Sequence, residues 1–283
     1  MPTNVLVGYD GSPAAGAAID AGAALFPGAH AWITYIWMPP FAGKRLRRRL
    51  RETARTADEL VELIEREGRR EADTIVRAGV ALGKAAEWDA EPLVKRAIGS
   101  DGLRLAQLAE KLAADVMIIG ARGLGGTEAA IGSVSDMAVH YATVPVLVIP
   151  SPLLADEFDA LSSGPVVVGY DGSDGAESAV EKARHVFPER RLLLAAVAGD
   201  GEKVEAGPCA QGLDMVTLER ASRFGAPRDR GIADTLAACA DDHDAAVVVV
   251  GSRGQAAARE ILLGSVAVAT VHRSHRPVLV VHG

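Results

Sequence analysis

The chain has 283 residues, 49% of them hydrophobic but only 4% aromatic, with a formal net charge of −7 and two cysteines. That length suits about two domains of ordinary size, with cores built from Ala, Val, Leu and Ile, and the acidic balance argues against nucleic acid as a partner. Cys209 and Cys239 stand in no CxxC pattern, so neither a disulfide framework nor a zinc site is implied, and no apolar run reaches the ~18 residues of a membrane span.

The start, MPTNVLVGYD, enters a strand at once with no basic or apolar leader, so the expected location is the cytoplasm. Residues 5–7 form a short β-branched run. A glycine-acid turn, GYDGS, follows at 8–12, then Ala-rich helical sequence over 13–25 and a second apolar run over 31–37. From 44 to 82 Leu46, Leu50, Ala54, Ala57, Val61 and Ile64 recur at steps of four and three, which predicts one face of a long helix. Its basic start, KRLRRRLR, places the cations between those leucines, on the solvated face, with acids following as i,i+4 partners. Two fully apolar runs close the half, at 116–119 and 144–149. Residues 151–164, SPLLADEFDALSSG, carry turn formers at both ends and read as the seam.

The second half repeats the first. GYDGS returns at 169–173, GSRG at 251–254 answers GARG at 120–123, Gly264-Ser265-Val266 answers Gly132-Ser133-Val134, and PVLV at 277–280 answers PVLV at 145–148. Four matches in one order make the chain a tandem duplication. The separation between copies falls from 161 to 131 positions after the first match, so the second copy has lost about thirty residues, near one helix and its loops. The loss falls where the first copy has its long helix and the second has GEKVEAGPCAQG, a loop. Residues 1–152 and 165–283 are therefore expected as two domains, with 153–164 as linker.

Runs apolar at successive positions suit strands buried on both faces, and strand–helix–strand order repeated twice reads as α/β with a parallel sheet. The final runs of the two halves would be edge strands. Because the halves are homologous, they are expected to pair antiparallel across a pseudo-two-fold axis. Dimerisation of the whole tandem is compatible with this pattern.

In the second half the glycines follow the spacing G-x2-G-x9-G-S, from Gly251 through Gly254 to Gly264-Ser265. Such glycines let backbone approach a ligand, and successive N–H groups form a nest for anions. Ser265 would cap the next helix or donate its hydroxyl to a phosphate there, with Arg253 supplying charge. This is not a Walker loop, since no GK[ST] ends it. The bland alternative is a glycine-shaped βα turn. Asp10 and Asp171 follow the first strand of each half, where an open α/β sheet binds ligands beyond its carboxyl ends. Their bland alternative is an Asx-turn before Gly-Ser.

GYDGS after the first strand, G-x2-G-x9-G-S before the last helix and PVLVV as final strand together resemble the universal stress protein family, over nearly the whole chain as two tandem domains. The resemblance implies open five-stranded parallel sheets, strand order 3-2-1-4-5, with helices on both faces, and ATP as ligand, with Mg2+ as a possible companion. It implies nucleoside contacts from Asp10 and Asp171, and adenine lined by Ile36 and Val197. Phosphates would be held by Gly120, Arg122, Gly123, Gly132, Ser133 and Val134 in the first domain, and by Gly251, Arg253, Gly254, Gly264, Ser265 and Val266 in the second. The first domain departs from the pattern: eight residues, not nine, separate Gly123 from Gly132, and Asp136 completes an S-x-x-D capping box with Ser133. In the second, the shortened loop after Val197 leaves the base less covered.

No catalytic constellation emerges. His272 and His275 lack a partner at metal-ligand spacing, and Ser12 and Ser173 sit in D-G-S rather than G-x-S-x-G. The expected function is an ATP-binding stress or regulatory protein with at most slow hydrolysis. The alternatives are a protein-interaction module with vestigial sites, and an adenylating enzyme, against which stands the lack of a substrate domain.

Overall fold

The computed structural model describes residues 2–38, 44–97, 99–121, 132–198, 204–221, 227–252 and 264–282, without the side chains of Lys44 and Leu46. The first half runs β1 (Asn4–Gly8), α1 (Pro13–Leu25), β2 (His30–Trp37), α2 (Lys44–Thr53), α3 (Ala57–Ala85), β3 (Asp89–Arg96), α4 (Asp101–Lys111), β4 (Val116–Gly120), α5 (Ser133–Tyr141) and β5 (Val146–Ile149). After α6 (Ala155–Ser163) the second half runs β6 (Val166–Gly169), α7 (Asp174–Val186), β7 (Leu192–Ala198), β8 (Asp214–Glu219), α8 (Arg228–Asp242), β9 (Val247–Gly251), α9 (Ser265–Arg273) and β10 (Val278–Val281).

Each half orders its strands 3-2-1-4-5, and the two five-stranded sheets fuse into one, β3-β2-β1-β4-β5-β10-β9-β6-β7-β8. Within each half every pairing is parallel. The halves meet where β10 pairs β5 antiparallel, with Leu279 opposite Leu147. The expected joining of the two final strands is thus observed. It removes two apolar sheet edges and satisfies their backbone groups internally. It also reverses direction, so the carboxyl ends of the two sets of strands point to opposite ends of the molecule.

Central strands are buried on both faces: Leu6, Val7, Met117, Ile118, Val167, Val168, Val248 and Val249 are sealed from solvent. Alternate side chains feed two layers of core. One contains Val5, Val7, Ile33, Val166 and Leu194, under α1 and α7, and crosses the pseudo-two-fold through Phe26 stacked on Phe187 at 5.5 Å. The other contains Leu6, Met117, Val167 and Leu193, with residues of α4 and α8. The seam carries a helix: α6 buries Leu161, and the Arg190 guanidinium donates to Leu161 O at 2.6 Å and Gly164 O at 3.1 Å.

The long helix of the first half is two helices, broken after Thr53, with Thr56 capping α3 through a 3.1 Å bond from Glu59 N. The expected stripe is only partly the buried face. Leu50 is buried but Val61 is 59% exposed. The face that packs is small: Gly68, Ala72, Val76, Gly79 and Gly83. A Cβ on Gly79 would lie 2.7 Å from Ile33 and 2.8 Å from Tyr9, so the helix lies too close to the sheet for side chains there. Arg45, Arg48, Arg49 and Arg51 are exposed as expected, whereas Arg47 is half-buried.

Candidate functional site

Both GYDGS segments build one turn. Gly11 and Gly172 sit at φ of +80° and +75°, the left-handed region glycine enters without steric cost. Asp10 Oδ1 accepts from Ser12 N at 2.9 Å, and Asp171 Oδ1 from Ser173 N at 3.1 Å and Ser173 Oγ at 2.6 Å. Ser12 and Ser173 then cap α1 and α7, accepting from Ala15 N at 3.1 Å and Ala176 N at 3.2 Å. The Asx-turn reading of both aspartates is therefore real, and both serines are engaged as caps rather than poised as nucleophiles. Each aspartate stays half-buried at the carboxyl end of its first strand.

Across the crevice lie the ends of β4 and β9. Gly120 approaches the first turn of α1 so closely that a Cβ would stand 2.8 Å from Ala14 O. Arg122, Gly123, Arg253 and Gly254 fall outside the described residues. Beyond them the chain returns to the strand ends: Gly132 N donates to Ala121 O at 2.8 Å, and Gly264 N to Ser252 O at 2.5 Å. Gly132 and Gly264 are the N-caps of α5 and α9 and supply no side-chain cap. The expected capping box at Ser133 is therefore not formed. With Gly132 as cap, Ser133 is the first helical residue and its hydroxyl is exposed. Ser265 is placed alike, followed by Val134 and Val266 in their respective helices. First-turn N–H groups and a serine hydroxyl thus face outward at the positive end of each helix, the arrangement that binds anions. The helices differ in charge: the first turn of α5 contains Asp136, that of α9 no acid.

Ile36, at the end of β2, is buried among the α4-side core, and Val197, at the end of β7, is half-buried against the corresponding side. Beside Ile36, sequence reading missed a polar group. Burial raises the Tyr35 hydroxyl pKa, and the charges of Glu71, Asp10 and Asp101 raise it further. Burial also raises the Asp101 carboxyl, whose Oδ1 is sealed without a hydrogen bond. These side chains come from β2, α3, the β1 turn and α4, distant in sequence, so no local motif could announce them. The second half keeps the turn aspartate as Asp171 but lacks the counterparts of Tyr35 and Asp101. Tyr9 N donates to Thr34 O as Tyr170 N donates to Ala195 O, which sets Ala196 at the place of Tyr35. Leu105 lies against Gly8 as Leu236 lies against Gly169, which sets Ile232 at the place of Asp101.

Where the first half has α3, the second has the loop ending at residue 212. Tyr170 and Glu177 form a short hydrogen bond, Gly207 N donates to the Tyr170 hydroxyl at 2.8 Å, and Cys209 N donates to Glu177 Oε2 at 2.7 Å. His272 and His275 are exposed, and no group of three or more potential metal ligands occurs among the described residues. None of the described helices is long and apolar enough to cross a membrane.

A family model described as the universal stress protein family matches residues 1–150 and 227–282. Universal stress proteins of Mycobacterium tuberculosis (strain H37Rv) and Mycobacterium bovis are 30% identical over 195 residues, 59% of this chain and 61% of theirs. The match thus spans under two thirds of those relatives' length. Among solved structures, a universal stress protein from Archaeoglobus fulgidus aligns over 99% of this chain and 97% of its own, at 18% identity and a TM-score of 0.66. A Pseudomonas aeruginosa protein of unknown function aligns over 98% and 92%, at 12% identity and a TM-score of 0.54. These two likenesses concern the fold.

Proposed function

Since the chain belongs to the universal stress protein family, we propose that it binds ATP in crevices at the carboxyl ends of its strands and serves a regulatory role in the stress response. Residues 1–152 and 165–283 are the two nucleotide-binding units in this reading. One observation carries it: α5 and α9 both begin at a glycine with no side-chain cap and expose a serine hydroxyl beside bare N–H groups. Ser12 and Ser173 cap α1 and α7 in this same chain. α8, with Pro227 at its start, also has no side-chain cap, so it is the exposed serine at a glycine start beside the strand ends that sets α5 and α9 apart.

Gly132, Ser133 and Val134, or Gly264, Ser265 and Val266, would hold phosphate oxygens by backbone and hydroxyl donors. Asp10 or Asp171 would accept from the nucleoside, and Ile36 or Val197 would lie along the base. Mg2+ would neutralise phosphate charge, and no protein carboxylate cluster is needed to hold it. The site offers binding, and the role is that of a nucleotide-responsive protein with at most slow hydrolysis. A second reading, an interaction module with a vestigial site, is favoured for the second half alone by Ala196 and Ile232 in place of Tyr35 and Asp101.

The test is mass spectrometry of the small molecules released when freshly purified protein is denatured. An adenine nucleotide in near-stoichiometric amount is the expected result. Protein that carries none, and shows no saturable ATP binding afterwards, would leave the interaction-module reading in its place.

A further inference from the structure

The sheet ends in two edge strands, β3 and β8, and they are guarded unequally. β3 is blunted: Pro92 removes a backbone donor, Lys95 and Arg96 close the strand, and α3 packs against it. β8 has no such guard. Its six residues, DMVTLE, include no proline, lysine or arginine, and among the described elements only β7 packs extensively against it. Met215 is half-buried against the core under α7, and Val216 and Leu218 are half-buried against the core on the α8 side. β8 thus presents a free strand edge with part-covered apolar side chains on both faces.

Backbone geometry limits what such an edge can take. Along a strand the N–H and C=O groups of successive residues point alternately to one neighbour and the other, and residues directly opposite in an antiparallel pair either both face each other or both face away. A strand that pairs with its own copy across a two-fold axis must therefore set residues of equal parity opposite one another. That forbids the alignment of Asp214 with Glu219, which would bring two acids together. It permits an axis at Thr217. There Asp214 lies opposite Arg220 and Val216 opposite Leu218, twice each, with Met215 facing the Glu219 stem. An axis at Val216 would set Asp214 against Leu218, and an axis at Leu218 would set Val216 against Arg220, so charge and apolar pairing both select Thr217. The Arg220 stem rests against Gly231 of α8. Asp214 meets Arg191 at 2.9 Å with both side chains largely exposed, which leaves its carboxylate open to a second cation.

We propose that β8 is the surface through which two copies of this chain associate, antiparallel about a two-fold axis at Thr217, joining two ten-stranded sheets edge to edge. The interface shares no residue with the crevices and stands whether or not they bind nucleotide. Sedimentation equilibrium of the full chain over a wide range of concentration measures the association, and a monomer–dimer equilibrium is the expected result. Thr217 is exposed, so Thr217→Lys spares the fold while setting two cations on the axis. Arg220→Glu turns both contacts with Asp214 repulsive. Each should weaken the dimer about tenfold or more. Glu91→Lys, on the opposite edge, is the control and should leave the association unchanged. A chain that stays monomeric at every concentration overturns the proposal. So does a dimer that Thr217→Lys and Arg220→Glu leave intact, or one that Glu91→Lys weakens as much as they do.

Discussion

The two halves cover the same sheet face by different means. In the first, α3 lies flat on β2 and β3, and glycine at 79 and 83 lets it descend onto Tyr9, Ile33 and Ala90. In the second, about thirty residues shorter there by the repeat spacing, a loop takes its place, and its backbone N–H groups must find acceptors that a helix would have supplied itself. Tyr170 and Glu177 are those acceptors. The equivalent of Glu177 is Gly16, which lies 4.0 Å from Leu82 of α3 for an added Cβ. One position is thus glycine under a helix and glutamate under a loop, because the covering differs and not the strand beneath. A duplicated domain can lose a helix if the remaining chain gains polar anchors.

What the halves share should break most severely. Phe187 stacks on Phe26 between them and is nearly sealed. Phe187→Ala should cost about 3–4 kcal/mol, read as a lower urea midpoint of the whole chain. A loss confined to second-half probes would show that the halves unfold separately. Next in size is Gly79→Val, which forces a branched side chain into Ile33 and Tyr9. About 2–3 kcal/mol should be lost as α3 lifts. A wild-type midpoint would mean that α3 does not pack as described.

Glu177→Ala probes the other covering. Leaving the Gly207–Cys209 backbone without its anchor should cost about 1 kcal/mol, and limited proteolysis should cut the loop faster. The pH dependence has a definite sign. Burial tends to raise the Glu177 pKa, but the hydrogen bonds from Tyr170 and Cys209 outweigh it and leave the folded value lowered. The contribution is therefore present above the unfolded value of about 4.3 and fades as pH falls through the folded value. The difference between wild type and Glu177→Ala should shrink below that range, and a difference that grows on acidification would reverse the assignment. Smallest of all, Arg48 and Arg49 changed together to Gln should shift stability by under about 0.5 kcal/mol. They should also produce no loss of salt-sensitive DNA binding, because none is expected of the wild type.

The sequence displayed the central strands plainly, since residues buried on both faces read as unbroken apolar runs. β3 and β8 were not recognised from their residues. They are the two edges, with only Ala90 buried in DAEPLVKR and nothing buried in DMVTLE, and Pro92 is tolerated where no further strand follows. The packed face of α3 was misread because its closest contacts are glycines, which carry no hydrophobic signal. Its true start was written as Thr56-Ala-Asp-Glu59, a capping signature overlooked in favour of continuous periodicity. Asp10, Asp171 and the glycine ends were legible as local repeats. Tyr35 and Asp101 were not, because their meeting depends on how β2 and α4 pack.

In the proposed function, phosphate binds at the uncapped starts of α5 and α9. Calorimetric titration of ATP into the wild type, Gly132→Asp and Gly264→Asp tests it directly. Aspartate is a good N-cap, so both variants should fold as well as the wild type or better, while its charge and bulk oppose phosphate. The account predicts at most two sites in the wild type, and the larger affinity loss in Gly264→Asp, because α9 has no acid in its first turn to weaken the cradle as Asp136 does in α5. ATP binding that survives both substitutions unchanged, or that vanishes with Gly132→Asp and not at all with Gly264→Asp, would contradict it.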